Sequence, residues 1–223
     1  MKRILIILYA VFILASCGRL PDYPSPRKGV DERTIRAYAR ASEMYALGNF
    51  AETIEILREE KKFHPALLLR AKAEFFAGDL DSAEKACEKA IKARPTSFEA
   101  RLYLARVLRE KEDLAGAVTL SESLLADNPQ DIRALRLAAD LALVMGKNDA
   151  ASAFLDRACE SSAENAMVLL DRARLRWTSG KGTEALEDLS RAKAMLPWDT
   201  PLTRTISNLE RAIRYPTDTG MSM

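Results

Sequence analysis

The sequence predicts an all-α protein, a solenoid of helix-turn-helix units closed by a C-terminal capping helix. Three observations predict it. Only 9 of 223 residues are glycine and 9 proline, and they fall mostly near the N-terminus and at regularly spaced turns. Ala, Leu, Glu and Arg, all strong helix formers, fill the intervals. Small residues recur every 34 positions over most of the chain, the mark of stacked structural units. The last segment then places Leu202, Ile206, Leu209 and Ile213 on one helical face.

The first element is a leader. In residues 1–16, MKRILIILYAVFILAS, Lys2 and Arg3 precede an apolar run from Ile4 to Ala15, followed by small residues. That is the charged, apolar, small-residue order of a secretory signal peptide. Twelve helical residues reach about 18 Å, short of the roughly 30 Å hydrocarbon core, so a stable membrane span is disfavoured. Leu14-Ala15-Ser16-Cys17 resembles the lipobox of bacterial lipoproteins, in which the cysteine is acylated and becomes the mature N-terminus. The resemblance implies a lipid anchor of several acyl chains on Cys17, and multiple chains are what make such anchoring stable. Gly18 is not the aspartate that retains many enterobacterial lipoproteins in the inner membrane, so an outer-membrane address facing the periplasm is favoured. Residues 17–31 form a tether, since the stretch GRLPDYPSPRKGV has three prolines, two glycines and no helical periodicity.

The next element is a short helical unit at 34–63, with Ala41 at its small position and Gly48 at its turn. Gly48 and Gly78 are 30 residues apart, so about one helical turn is missing. Four gapless units of 34 follow, at 64–97, 98–131, 132–165 and 166–199. Ala71, Ala105, Ala139 and Ala173 share one register. Ala83, Ala117, Ala151 and Ala185 share a second, and Ala90, Leu124, Ala158 and Ala192 a third. Small side chains at these places let paired helices approach. Gly78, Gly146 and Gly180 mark the turns, with Glu112 in place of glycine once, and Asp79 and Asn148 beside them suit turn chemistry. Pro95, Pro129 and Pro197 end three units by removing a backbone donor.

This pattern resembles the tetratricopeptide repeat, which implies a right-handed superhelix of helix-turn-helix repeats. The family's aromatic positions are thinly kept, for Leu67, Arg101, Leu135 and Leu169 stand where tryptophan is typical. The final element is a capping helix at 200–214, opened by Thr200 as cap and Pro201 in the first turn, with a loose tail at 215–223.

The sequence argues against an enzyme. The sole histidine, His64, stands at a predicted helix start, and no Cys and His cluster has metal-ligand spacing. Gly180-Lys181-Gly182 lacks the spacing of a phosphate loop, so no cofactor is expected. The chain has 34 Lys and Arg against 32 Asp and Glu, and removing Lys2 and Arg3 with the leader leaves 32 of each. A neutral chain offers no argument for nucleic acid. Cys87 and Cys159 lie in units separated by another repeat, too far for the roughly 7 Å that a disulfide spans, and are expected to pack as small apolar side chains.

The family resemblance implies a concave groove lined by first helices, holding a peptide or another protein's surface. Combined with a lipid anchor it implies an envelope scaffold or adaptor, as in lipoproteins that serve secretins, murein hydrolases or outer-membrane assembly. The alternative is an accessory lipoprotein of a periplasmic small-ligand transport system, which an enclosed apolar pore would favour. Carried onto this sequence, the family's groove positions supply Lys72, Arg106, Arg109, Arg133, Arg136 and Arg174, opposed by Glu99, Glu110 and Asp140. Tyr38, Tyr45, Phe75, Phe76 and Trp177 occupy other such positions. First helices are net positive and second helices net negative, so an acidic partner segment is expected. Arginine and aromatic residues are the types that most often anchor interfaces.

Overall fold

A computed structural model describes residues 30–162 and 165–215, and within them the chain is eleven α-helices with no strand. Cys17, the leader, most of the tether and residues 216–223 lie outside the described residues. The tether's last two residues already belong to the fold. Val30 packs on the first core cluster, and Asp31 caps α1 (Glu32–Ala46) by accepting from the Thr34 amide at 2.6 Å. The first helix therefore starts two residues before the predicted unit at 34.

Pairs follow in order. After α1 comes α2 (Phe50–Leu57), then α3 (His64–Ala77) with α4 (Leu80–Ala93) and α5 (Phe98–Glu110) with α6 (Leu114–Asp127). The series continues with α7 (Ile132–Val144) and α8 (Asn148–Ser161), and α9 (Ala166–Thr178) and α10 (Gly182–Ala194). It closes with α11 (Pro201–Arg214). Each helix packs on its neighbours in sequence, and first helices also touch the next first helix, as in a solenoid. All twelve residues of the three small-residue registers are buried.

The turns show why the period holds. Gly48, Gly78, Gly146 and Gly180 take φ of 72–84°, the left-handed region that closes a first helix. Glu112, which replaces glycine in the second full unit, is forced to φ 65°, alone among described non-glycine residues. Asn49, Asp79 and Asp113 then cap the second helices, accepting from the amides of Glu52, Ser82 and Gly116. Asn148 does not act this way. Lys147 holds the cap position of α8 and Asn148 is its first residue, because the cap directly follows the turn glycine.

The first unit loses its missing turn from the second helix, since α2 has 8 residues where α4, α6 and α8 have 14. Its end is redirected by Glu60, whose Oε1 accepts from the amides of Lys61, Lys62 and Phe63 at 2.9, 2.8 and 2.9 Å. Burial pushes the Glu60 carboxyl up, but these amides outweigh it and hold it below the usual range. At the other end Thr200 accepts from the Thr203 amide and Pro201 opens α11. Ile206 enters the last core, flanked by Leu202, Leu209 and Ile213. Cys87 and Cys159 are both buried, in separate core clusters.

One pair of positions varies in a way that matters below. The seventh and eleventh residues of each full unit lie between its own second helix and the preceding one. The first full unit fills them with a buried ion pair, Arg70 Nε to Glu74 Oε1 at 2.7 Å. The last fills them with Arg172 and Arg176, both bonded to the buried carboxylate of Asp188 in α10. The second unit has Leu104 and Leu108, and the third only Ala138 and Ala142.

Candidate interaction groove

Helices α3, α5, α7 and α9 stack so that their outer faces share one wall. Along it runs a cleft of about 380 Å³ lined by Phe75, Phe76, Arg106, Arg109, Arg133, Arg136, Arg174, Asp140, Asp171 and Leu143 among others. Five guanidinium groups thus face two carboxylates. Arg106 and Arg109 on α5, and Arg133 and Arg136 on α7, are three residues apart and share a helix face, while Arg174 on α9 repeats the position of Arg106 two units on.

The charges are unequally matched. Arg136 Nε meets Asp171 at 2.6 Å, Arg109 meets Glu110 at 2.6 Å and Asp140 at 3.0 Å, and Arg133 meets Asp131 at 2.9 Å. Arg174 is 53% exposed, with Asp171 only at 4.0 Å. Arg106 has no carboxylate within 4.0 Å among the described residues; its guanidinium lies 5.1 Å over the Tyr103 ring. Arg106 and Arg174 therefore have the most charge left to offer. Burial raises the Asp140 carboxyl above its ordinary range despite the opposing pull of Arg109. Asp131 is also pushed up by burial, but hydrogen bonds from Arg133 and the Ala134 amide hold it below. Protonation of Asp140 as pH falls makes the cleft more positive.

The apolar side of the cleft is aromatic. Phe76 is 50% exposed, stacks on Phe50 at 5.5 Å and touches Tyr45 and Phe75 at 6.2 and 5.3 Å. Phe75 meets Tyr103 edge-on at 6.0 Å. Leu143 and Val144 extend the exposed apolar edge from the end of α7. Burial pushes the Tyr45 hydroxyl far above its usual range.

The remaining residues expected in the groove sit elsewhere. Lys72 lines a second cleft of about 560 Å³ with Tyr38, Glu99 and Phe98, and Arg133 is shared between the two. There Lys72 Nζ bonds Glu99 at 2.6 Å and Arg133 lies 4.9 Å over Phe98. Tyr38 also packs edge-on against Phe63 at 5.6 Å. Trp177 leaves the wall and packs on the last core cluster, where the capping helix offers more apolar surface. Sequence reasoning missed Tyr103, Asp131 and Asp171. The first and last of these are sixth residues of their units, one place beyond the position carried over from the family.

Among the described residues no group of three His, Cys, Asp or Glu could hold a metal ion, and no helix is long and apolar enough to cross a membrane.

Comparison with known proteins agrees with this architecture. Tetratricopeptide-repeat family models match residues 74–141 and 136–197. Tetratricopeptide repeat protein 21 homolog of Caenorhabditis elegans is 27% identical over 164 residues, 69% of this chain. Tetratricopeptide repeat protein 21B of Xenopus laevis is 24% identical over 142 residues, 62% of this chain. The matched parts are only 12% and 11% of those relatives' length. Among solved structures, the thermophilic TPR protein TTC0263 of Thermus thermophilus has a TM-score of 0.69 at 18% identity, over 78% of this chain and 97% of that one. A repeat protein of Parabacteroides merdae has 0.70 at 21%, over 82% and 72%. YrrB, described as a TPR protein with an unusual peptide-binding site, has 0.52 at 16%, over 77% and 90%. At these identities the likeness is one of fold.

Proposed function

The chain is built from tetratricopeptide repeats, and we propose that it is a lipid-anchored scaffold of the bacterial envelope whose groove holds an acidic segment of a partner protein. Such repeats generally mediate protein–protein interaction, and YrrB supplies a fold relative with a peptide-binding site. The observation that carries the reading is the pairing of Arg106 and Arg174, the least matched cations of the cleft, with the exposed ring of Phe76. A carboxylate settles between the arginines while an apolar neighbour covers the ring. The charged walls also speak for a protein segment over a small apolar ligand in a periplasmic transport system.

Affinity capture from detergent-solubilised envelope tests this. The wild-type chain is expected to retain a partner whose binding weakens with salt, because exposed charges are screened. Reversing Arg106, Arg136 and Arg174 to glutamate is expected to abolish retention while helical circular dichroism persists. Undiminished capture by the triple variant would mean that the arginines are only a solvated face.

Anchoring rests on Leu14-Ala15-Ser16-Cys17 behind the apolar run, with the periplasmic side of the outer membrane as the proposed address. Cys17→Ala is expected to end incorporation of labelled palmitate and leave uncleaved precursor. Continued labelling of that variant refutes the anchor and leaves the groove reading standing.

A further inference from the structure

The convex side carries a second feature that the groove does not use. Because the third full unit has alanine at both its seventh and eleventh positions, nothing fills the space between α6 and α8. A cleft of about 190 Å³ remains there, floored by Ala138 and Ala142 and walled by Val118, Leu125, Leu141 and Phe154. An apolar cavity of about 150 Å³ accepts benzene, so this one has room for an indole ring. Ser121 lies on its wall, 3% exposed, with a hydroxyl that has no hydrogen-bond partner. Its oxygen is closed off from the cleft, so the wall an occupant meets there is apolar. At the rim stand Glu122 and Lys147, both exposed and neither in an ion pair among the described residues.

The chain also presents an indole. Trp198, in the turn between α10 and α11, is 92% exposed, the most exposed large apolar side chain among the described residues. The turn is rigid. Pro197 precedes the ring, the Pro197 carbonyl accepts from the Thr203 hydroxyl at 2.9 Å, and Thr200 caps the next helix. Beside the ring stand Asp199 and Arg204, joined at 2.9 Å. These supply one anion and one cation to face Lys147 and Glu122. Fixed at the far end of the last unit, Trp198 cannot turn back to a cleft a whole unit away in its own chain.

We propose that Trp198 of one copy docks in the Ala138/Ala142 cleft of a second copy, its ring on the alanine floor and its flanking charges against Lys147 and Glu122. The two surfaces differ, so the contact is heterologous and propagates from copy to copy, head to tail, unless the rotation closes a ring. Only the convex face and the final turn are occupied, which leaves the arginine cleft free. The inference does not depend on what the groove binds.

Sedimentation of the full chain over a concentration series, read with tryptophan fluorescence, tests it. The weight-average mass of the wild type is expected to climb above one chain without stopping at two, with a blue shift as the ring leaves water. Trp198→Ala, in an exposed turn that does not support the fold, is expected to stay monomeric. Ala142→Leu, which fills the cleft from its floor, is expected to do the same with unchanged helicity. Mixed in equal amounts, the two variants are expected to pair and stop at a dimer, since one keeps the ring and the other the cleft. A wild type that stays monomeric throughout overturns the proposal, as does association that survives Trp198→Ala. A mixture that remains monomeric overturns it too, because it removes the complementarity on which the contact rests.

Discussion

Asp188→Ala is the perturbation whose cost can best be worked from the structure. Its side chain is 1% exposed and accepts three bonds: Arg172 Nε at 2.9 Å, Arg172 Nη2 at 2.7 Å and Arg176 Nη1 at 2.8 Å. The carboxylate is what permits two guanidinium groups to stand at positions that leucine or alanine occupies in the two middle units. Those bonds also hold the guanidinium of Arg172 more firmly charged than usual. Removing one partner of a buried ion pair costs about 3–5 kcal/mol. Here the loss is partly offset, because Arg172 keeps Asp156 at 2.9 Å, and Arg176 keeps Glu184 at 3.6 Å and reaches water. The expected loss is about 2–4 kcal/mol.

In a repeat array that loss is local, since each unit rests chiefly on its neighbours. Hydrogen exchange is therefore the assay. Amides of α9, α10 and α11 are expected to exchange roughly 30- to 700-fold faster, at about 1.4 kcal/mol per decade, while α3 to α5 barely change. Pairing the change with Arg172→Met removes the stranded cation, so the double variant is expected to lose less than the sum of the singles. Exchange in α9–α11 within threefold of wild type would refute the claim that this carboxylate holds the last unit together.

Three further outcomes follow from particular side chains. Glu60→Gln is expected to cost about 1 kcal/mol at pH 7, a charged acceptor of three amides being lost at a partly screened site. Because the Glu60 carboxyl titrates below its ordinary value, that stability is present above the unfolded pKa and lost as pH falls through the folded one. The gap between variant and wild type in thermal melts is thus expected to close below about pH 4. Glu112→Gly relieves a left-handed non-glycine residue, and the freer unfolded chain takes back part of the gain, so the melting temperature is expected to rise by about 1–3 °C. Ala139→Trp forces a ring between buried helix faces and is expected to cost about 1–3 kcal/mol or more, read as an earlier loss of helical circular dichroism.

The repeat was legible because its causes are short-ranged or strictly periodic. Ala71, Ala105, Ala139 and Ala173 announce close helix approach at 34-residue intervals, and all four are buried. The turn was equally plain, even at Glu112, where the backbone keeps its left-handed form without the residue that favours it. At the turn after Gly146 the register assigns the cap to position 147, a lysine, and leaves Asn148 as the first helical residue. The six-residue shortening of α2 was only half visible. Counting glycines gives four missing residues, but that the second helix loses six and the connection after it gains two goes with Glu60 gathering three amides, which no periodicity announces.

The groove was harder to read because its charges are matched between units. Considering one helix at a time, Arg109, Arg136 and Lys72 are cations on a common face and suggest a strongly basic surface. Across units they meet carboxylates at fixed offsets: Lys72 to Glu99 is 27 residues, Arg109 to Asp140 is 31, and Arg136 to Asp171 is 35. These offsets differ by 4, about one helical turn, and bracket the period of 34. They are the offsets at which one first helix can reach the next, alongside it and up to two turns away. A search for opposite charges at that spacing would have found Asp171 from the sequence and removed Arg136 from the free cations. Looking forward it finds no partner for Arg106, since residues 133, 137 and 141 are Arg, Leu and Leu, and looking back it offers only Asp79, which caps α4 and makes no ion pair with Arg106. That leaves Arg106 held over the Tyr103 ring, with its charge available to whatever enters the cleft.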